Sequence, residues 1–275
     1  YLMVDGTAKS PSSNWLMPGR SVNLIITDEE REELQRLAPD LADRELPPGW
    51  EMVQSSAFAR VARNPGRGIY YKEFLPRSPL EALKAVLRGS RATRARRQGD
   101  ALLLAGFEAP ANLAWGRLPG GREYLFTRAA QGQDVTGWLQ ARLVIRNGET
   151  LAIRHQLLRD LGVFIGRLHA TGFIHGDLRP GNVLAELRQG RFQFTLIDNE
   201  RTVQRHPPPG RMLLRNLMQL NMLPPAVLSR ADRMRFFTGW RRQMRELSPI
   251  EAKLLASEAY SWAMRRMAAR AQGLE

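Results

Sequence analysis

The stretch His175-Gly176-Asp177-Leu178-Arg179-Pro180-Gly181-Asn182 constrains this chain more than any other. It sets an aspartate five positions before an asparagine, with a Pro-Gly turn between them. The run RFQFTLIDNE follows at 191–200, strand-like until it ends in the acid Asp198. Asn182 and Asp198 carry the oxygen atoms that a hard cation such as Mg2+ takes, typically one or two protein groups beside phosphates and waters. Asp177 comes too early in the loop to be the obvious ligand and suits a general base.

That spacing of aspartate and asparagine belongs to a phosphotransferase catalytic loop. Phosphoryl transfer asks little covalent chemistry of a protein, so positioning and charge neutralisation dominate. Asp177 then accepts the proton of an attacking hydroxyl, Asn182 and Asp198 hold Mg2+, and Arg179 reaches the transferring phosphate with its fixed fork of donors. A polar surface loop between a helix and a strand is the competing reading, and the flanking elements oppose it.

HGDxxxxN followed by a strand ending in IDxx resembles the protein-kinase-like fold. Gly176 stands where protein kinases usually carry arginine. In this the chain is similar to aminoglycoside and choline kinases, RIO-type kinases and bacterial lipopolysaccharide core kinases. It most resembles the last group, the heptose and Kdo kinases, through YYKEF at 70–74, LRGSRATRARRQGDALLLAGFEAP at 87–110, GFIHGDLRPGNVL at 172–184, LIDNERTV at 196–203 and RNLMQLN at 215–221. The resemblance covers roughly residues 55–245. It implies an α+β, two-lobed fold, with a small β-rich N-lobe at 50–129 and a mainly helical C-lobe at 130–275. Residues 1–49 would be an N-terminal extension. It also implies ATP as a cofactor beside Mg2+. Lys72 falls where a strand lysine pairs the nucleotide phosphates, and 127–132 where a hinge offers adenine its backbone, near Arg128 and Ala130.

The chain departs from protein kinases in three places. No glycine lies in QSSAFAR at 54–60, where a glycine-rich loop belongs. No glutamate lies in SRATRARRQGDALLLAG, the expected helix that should carry the lysine's acid partner. Asp100, Glu81 or no partner at all remain open there. After Asp198 the sequence reads Asn199-Glu200, with no long activation segment, and passes through His206-Pro207-Pro208-Pro209-Gly210 to helices expected at 211–221, 224–245 and 248–270. This truncation opposes a phospho-switched protein kinase.

Elsewhere the local signals are plain. Thr27-Asp28-Glu29-Glu30 opens a short helix with a capping box. Trp50–Leu75 alternates as strands around Asn64-Pro65-Gly66, and 112–128 as two strands around Pro119-Gly120-Gly121. Asp134 either contacts a ribose or, the favoured reading, caps the helix DVTGWLQ. Residues 149–170 keep a 3.6-residue stripe through Leu151, Leu157, Leu158, Leu161, Phe164, Ile165 and Leu168. His169 and His175 read as architectural, and Trp240 as core. Arg88, Arg91, Arg94, Arg96 and Arg97 form either a solvated helix face or a cradle for anionic groups.

A formal net charge of +14 implies an anionic partner, unless it reflects only a preference for arginine. No RRM, zinc-finger or basic-zipper pattern points to nucleic acid. Cysteine is absent, which excludes a disulfide framework and suits a reducing cytoplasm. No run of about 18 apolar residues is present to span a bilayer, and the start shows no signal-peptide pattern. The expected function is an ATP- and Mg2+-dependent kinase of a heptose or Kdo hydroxyl in the inner core. It would work at the cytoplasmic face of a Gram-negative inner membrane and touch that acidic surface peripherally. A small-molecule kinase, a protein kinase and a pseudokinase scaffold are the alternatives. The oligomeric state is not legible.

Overall fold

The computed structural model of the protein describes residues 26–75 and 90–273. The irregular start expected at 1–23 and the helical segment expected at 79–89, with Glu81 and Arg88, lie outside the described residues.

A helix and a sheet form the first layer. Helix α1 (Asp28–Asp43) starts at Thr27, whose hydroxyl accepts the Glu30 N–H at 3.1 Å. Its buried Leu34, Ala38, Leu41 and Ala42 lie on an antiparallel sheet ordered β1 (Glu51–Val53), β2 (Ala59–Asn64), β3 (Ile69–Phe74), β5 (Glu123–Arg128), β4 (Asn112–Arg117). Period-two alternation divides β3 between two faces. Ile69 and Tyr71 enter the core under α1 with Leu113, Tyr124 and Phe126. Tyr70, Lys72 and Phe74 face the opposite way, into a cleft. Each apolar side chain so buried contributes roughly 1.5–3 kcal/mol. Helix α1, which carried no function in the sequence, covers the back of this sheet. On its other face, helix α2 (Arg91–Leu104) packs Ala92 and Ala95 against Phe74 and Leu125. Ser90 caps it, accepting the Thr93 N–H at 3.1 Å.

The second layer is mainly helical. A short strand, β6 (Gln133–Asp134), leads into one helical turn and then a π-helical turn over Trp138–Arg142. Asp134 accepts the Gly137 N–H at 2.9 Å, so it caps this turn as expected. Helix α3 (Gly148–Ala170) follows, and its buried stripe includes Leu157, Leu158, Leu161, Ile165 and Leu168. Next come β7 (Phe173–Ile174), β8 (Val183–Arg188), β9 (Arg191–Leu196) and β10 (Val203–Gln204), with β6-β8-β9 in one antiparallel sheet and β7 paired to β10. Helices α4 (Gly210–Leu220), α5 (Arg230–Gln243) and α6 (Pro249–Ala271) complete the chain.

Helices α3 and α5 meet backbone to backbone. A Cβ at Gly162 would stand 2.1 Å from the Phe236 carbonyl oxygen, and one at Gly239 2.8 Å from that of Arg159. A buried ion pair locks the same seam: Arg154 reaches Asp232 at 2.9 Å with side-chain exposures of 1% and 5%. Burial pushes the Asp232 carboxyl up, but hydrogen bonds from Arg154 and Ser229 outweigh it and hold the group below its usual range.

Two expected boundaries move. The helix expected from 224 begins at Arg230, because Ser229 and Asp232 form a reciprocal capping box that fixes its start. The strand expected to end in an acid stops at Leu196, and Asp198 follows in a left-handed conformation, φ 60° and ψ 50°.

Candidate active site

Helix α3 ends at Thr171, and Gly172 turns the chain with φ +84°. Strand β7 then delivers the loop 175–182. His175 is buried and ties the loop to its neighbour. Its Nδ1 accepts the Asp177 N–H at 3.1 Å, so Nε2 carries the proton and donates to the Ile197 carbonyl at 3.0 Å. Ile197 N–H in turn donates to the Asn182 carbonyl at 3.1 Å. The 175–182 loop and the segment bearing Asp198 are thus stitched together at Ile197. Burial pushes the His175 imidazole down, against the pull of Ile197, Asp198 and Asp177. A neutral, architectural ring is the outcome, as its place in the sequence suggested.

Within the loop, Asn182 Nδ2 donates to the Asp177 carbonyl at 2.8 Å. Asp177 is held at both carboxylate oxygens: Gln219 Nε2 donates to Oδ1 at 3.2 Å and Arg179 Nε to Oδ2 at 3.0 Å. Gln219 Oε1 also accepts the Leu178 N–H at 3.0 Å. Asn216, one turn earlier on α4, accepts the His175 N–H at 3.2 Å and donates to the His175 carbonyl at 2.6 Å. His169 donates from Nε2 to Asn216 Oδ1 at 3.2 Å while its Nδ1 accepts the Trp240 indole N–H at 3.0 Å. Full burial pushes the His169 imidazole down to about 4, against the Asn216 hydrogen bond.

Gly176 is required by space. A Cβ there would lie 2.0 Å from the Arg201 Cβ and 2.6 Å from its carbonyl oxygen. No arginine fits at this position.

Lys72 Nζ lies 2.7 Å from Asp198 Oδ1 and 4.0 Å from Glu200 Oε2. Burial pushes the Asp198 carboxyl up, yet the Lys72 charge and hydrogen bond outweigh it and hold the group below its usual range. Of the alternatives weighed from sequence for the lysine's acid partner, Asp100 and the unpaired lysine are corrected here, and Glu81 lies outside the described residues. Lys72 is paired, and Asp100 accepts instead from Asn112 Nδ2 at 2.8 Å.

Lys72, Arg128, Ala130 and Asp198 line a cleft of about 1140 Å³. Val53, Val61 and Leu125 wall one side, Leu184 and Ile197 the other. The Arg128 guanidinium lies 3.9 Å from Glu30 of α1, so this residue offers the cleft mainly its backbone. Asp177, Arg179 and Asn182 sit on the loop joined to this cleft through Ile197. The glycine-free loop 54–58 is braced by Ser55 Oγ on the Ala59 carbonyl at 2.6 Å and by Arg91 on the Phe58 carbonyl at 2.9 Å. Arg91 is therefore a buried clamp rather than part of an anionic cradle. Sequence reasoning assigned no role to Asn216, Gln219 or Glu200; RNLMQLN held the first two, but only tertiary packing turns them to the loop.

Residues 55–240 match the model of the lipopolysaccharide kinase (Kdo/WaaP) family. No curated protein matches the chain. Among solved structures, the chain is similar to WaaP in complex with acyl carrier protein, 20% identical over 88% of this chain and 97% of that one, with a TM-score of 0.59. It is also similar to WbdD, 22% identical over 78% of this chain and 45% of that one, TM-score 0.46. The kinase domain of Mycobacterium tuberculosis PknI is 16% identical over 77% and 96%, TM-score 0.41. The likeness to WaaP is one of fold, and the fold is kinase-like.

Proposed function

We propose, from the premise that this chain belongs to the lipopolysaccharide kinase (Kdo/WaaP) family, how its own residues carry out the family's reaction. The protein is a phosphotransferase acting on sugar hydroxyls of the lipopolysaccharide core. ATP is the donor. Its adenine bonds the backbone near Arg128 and Ala130, and Lys72 holds its phosphates. Asp177 orients the acceptor hydroxyl and takes its proton, a role that contributes about 10²–10⁴-fold. Arg179 neutralises charge on the transferring group.

The donor set fits Mg2+. Asn182 spends its Nδ2 on the Asp177 carbonyl and so keeps its Oδ1 as a ligand atom, and Asp198 offers a half-exposed carboxylate. Among the described residues no three His, Cys, Asp or Glu side chains converge on a metal centre. Two protein oxygens completed by phosphates and waters is the coordination this ion favours. When bound, the ion neutralises phosphate charge.

The observation that carries this reading is the stitching of two loops at Ile197, which sets the Asp177 loop beside Asp198 and Lys72. The small lobe would run to Ala129 and the large lobe from Ala130, with residues before Trp50 as an extension. No described helix is long and apolar enough to cross a membrane. The net charge of +14 supports contact with an acidic inner-membrane face on the cytoplasmic side. Acyl carrier protein, present with WaaP, is a partner to test.

The test is ATP turnover with Mg2+, with and without delipidated core oligosaccharide, beside Asp198→Ala. Turnover stimulated by the oligosaccharide, with phosphate gained on the sugar and lost in the variant, is expected. Turnover indifferent to the oligosaccharide would move the acceptor elsewhere. Absence of ATP binding would overturn the donor assignment.

A further inference from the structure

Helix α2 packs against the lysine strand, yet the residue it sends to the site is a cation. Arg91, its first residue, is buried, and its Nη2 lies 3.2 and 3.4 Å from the two carboxylate oxygens of Glu200. Its Nη1 donates to the carbonyls of Phe58 and Leu75 at 2.9 and 3.3 Å. The same Glu200 stands 4.0 Å from Lys72 Nζ and has only 8% of its side chain exposed. Both cations lie over one ring: Lys72 Nζ is 5.3 Å and the Arg91 guanidinium 5.2 Å from the centroid of Phe74.

Among the described residues, the other acids near Lys72 are otherwise engaged. Glu73, next on β3, points to the opposite face and takes Arg122 at 2.9 Å. Asp100, farther along α2, is bonded to Asn112. Asp198 touches Lys72, but it is 40% exposed at the cleft, where phosphates and a cation compete for both groups. Glu200 is buried beside Lys72, held there by Arg91 at 3.2 Å with Arg201 at 3.8 Å.

We infer that Glu200 is the standing acid partner of Lys72, a positioning residue that keeps the ammonium aimed into the cleft, and that the ion pair is built in reverse: the loop after Asp198 supplies the acid and the helix supplies an arginine that anchors it. The inference rests on the reading of Lys72 as a nucleotide ligand. It explains how a helix without glutamate, packed on a lysine strand, still serves a lysine site. A buried charge of one sign is stable only when its partner is present, so Arg91 and Glu200 require each other.

The test measures ATP binding by calorimetry in EDTA, so that no divalent cation takes part, and turnover in Mg2+ separately. The proteins are the wild type, Lys72→Met, Glu200→Gln and the pair Glu200→Gln with Arg91→Met. The pair removes both buried charges at once and so keeps the fold testable if the single variant unfolds. ATP affinity should fall about 10-fold or more in Lys72→Met and by a similar factor in the folded Glu200 variants. Apparent KM for ATP should rise more than kcat falls, and Glu200→Asp should recover part of the loss. Native ATP affinity in a folded Glu200 variant, with Lys72→Met impaired, would overturn this inference alone. Native affinity in Lys72→Met would overturn it together with the role of the lysine. A wild type that binds no ATP would overturn the donor assignment as well.

Discussion

The two sides of the site are held by different forces. On the Asp177 side, hydrogen bonds from buried amides and imidazoles fix the loop backbone: Asn216, Gln219, His169 and His175 contribute, Trp240 closes the chain, and an ion pair to Arg179 is added at the Asp177 carboxylate. On the Lys72 side, charges fix the ammonium between Asp198 and Glu200, with Arg91 behind. Buried neutral bonds are directional and penalise any group left unpaired. Ion pairs near solvent are screened and easily exchanged for a ligand's charge. On the function proposed above, the proton-accepting side is therefore preset, and on the phosphate-binding side the half-exposed Lys72–Asp198 pair is the one placed to trade partners.

The sharpest way to break this comparison is Asp177→Asn, which keeps shape and removes the base. Turnover should drop about 10³-fold, on the order of 4 kcal/mol of barrier, while ATP affinity in EDTA stays native. A parallel loss of ATP binding would mean that the two sides are not separate.

Next in size is Asn216→Ala. It removes the bonds to the His175 backbone and leaves buried donors and acceptors unpaired, costing about 3 kcal/mol in urea unfolding. Turnover should fall with little change in KM for ATP. Native stability would show that the amide network is dispensable.

The smallest effect is in pH. The His169 ring titrates near 4 in the folded chain against 6.5 when unfolded. Between those values the unfolded chain binds a proton that the native ring refuses. Its contribution is thus complete above about pH 6.5 and lost as pH falls toward 4, up to about 3 kcal/mol. Unfolding free energies at pH 7 and pH 5 should differ in the wild type and differ less in His169→Gln. An equal slope in both would assign the acid sensitivity to other groups.

The parts legible in sequence were local. The stripe of α3, the caps at Thr27 and Asp134, and the Asp177–Asn182 loop each declare themselves within a few residues, because periodicity, capping and turn chemistry act over short distances. What escaped joins distant positions. Arg91 and Glu200 are 109 residues apart, and on a basic helix one arginine reads like its exposed neighbours until packing buries it. Gln219 and Asn216 lie in RNLMQLN with no local signal of their own; their burial depends on the loop that α4 packs against. The reason for Gly176 is also tertiary, since the obstacle is Arg201.

The seam between α3 and α5 matters to anyone who would engineer this protein for heat resistance. Replacing helical glycine with alanine is a standard stabilising change, worth about 1 kcal/mol where the site is open. At Gly162 it would drive a methyl group to 2.1 Å from the Phe236 carbonyl, and at Gly239 to 2.8 Å from that of Arg159. A Cβ at Gly166 would meet the Trp240 carbonyl at 2.7 Å in the same way, so the positions that helix propensity marks as weak along this seam are the ones to leave untouched. Spreading the helices there would also shift Trp240, which shares α5 with the seam and whose indole orients His169.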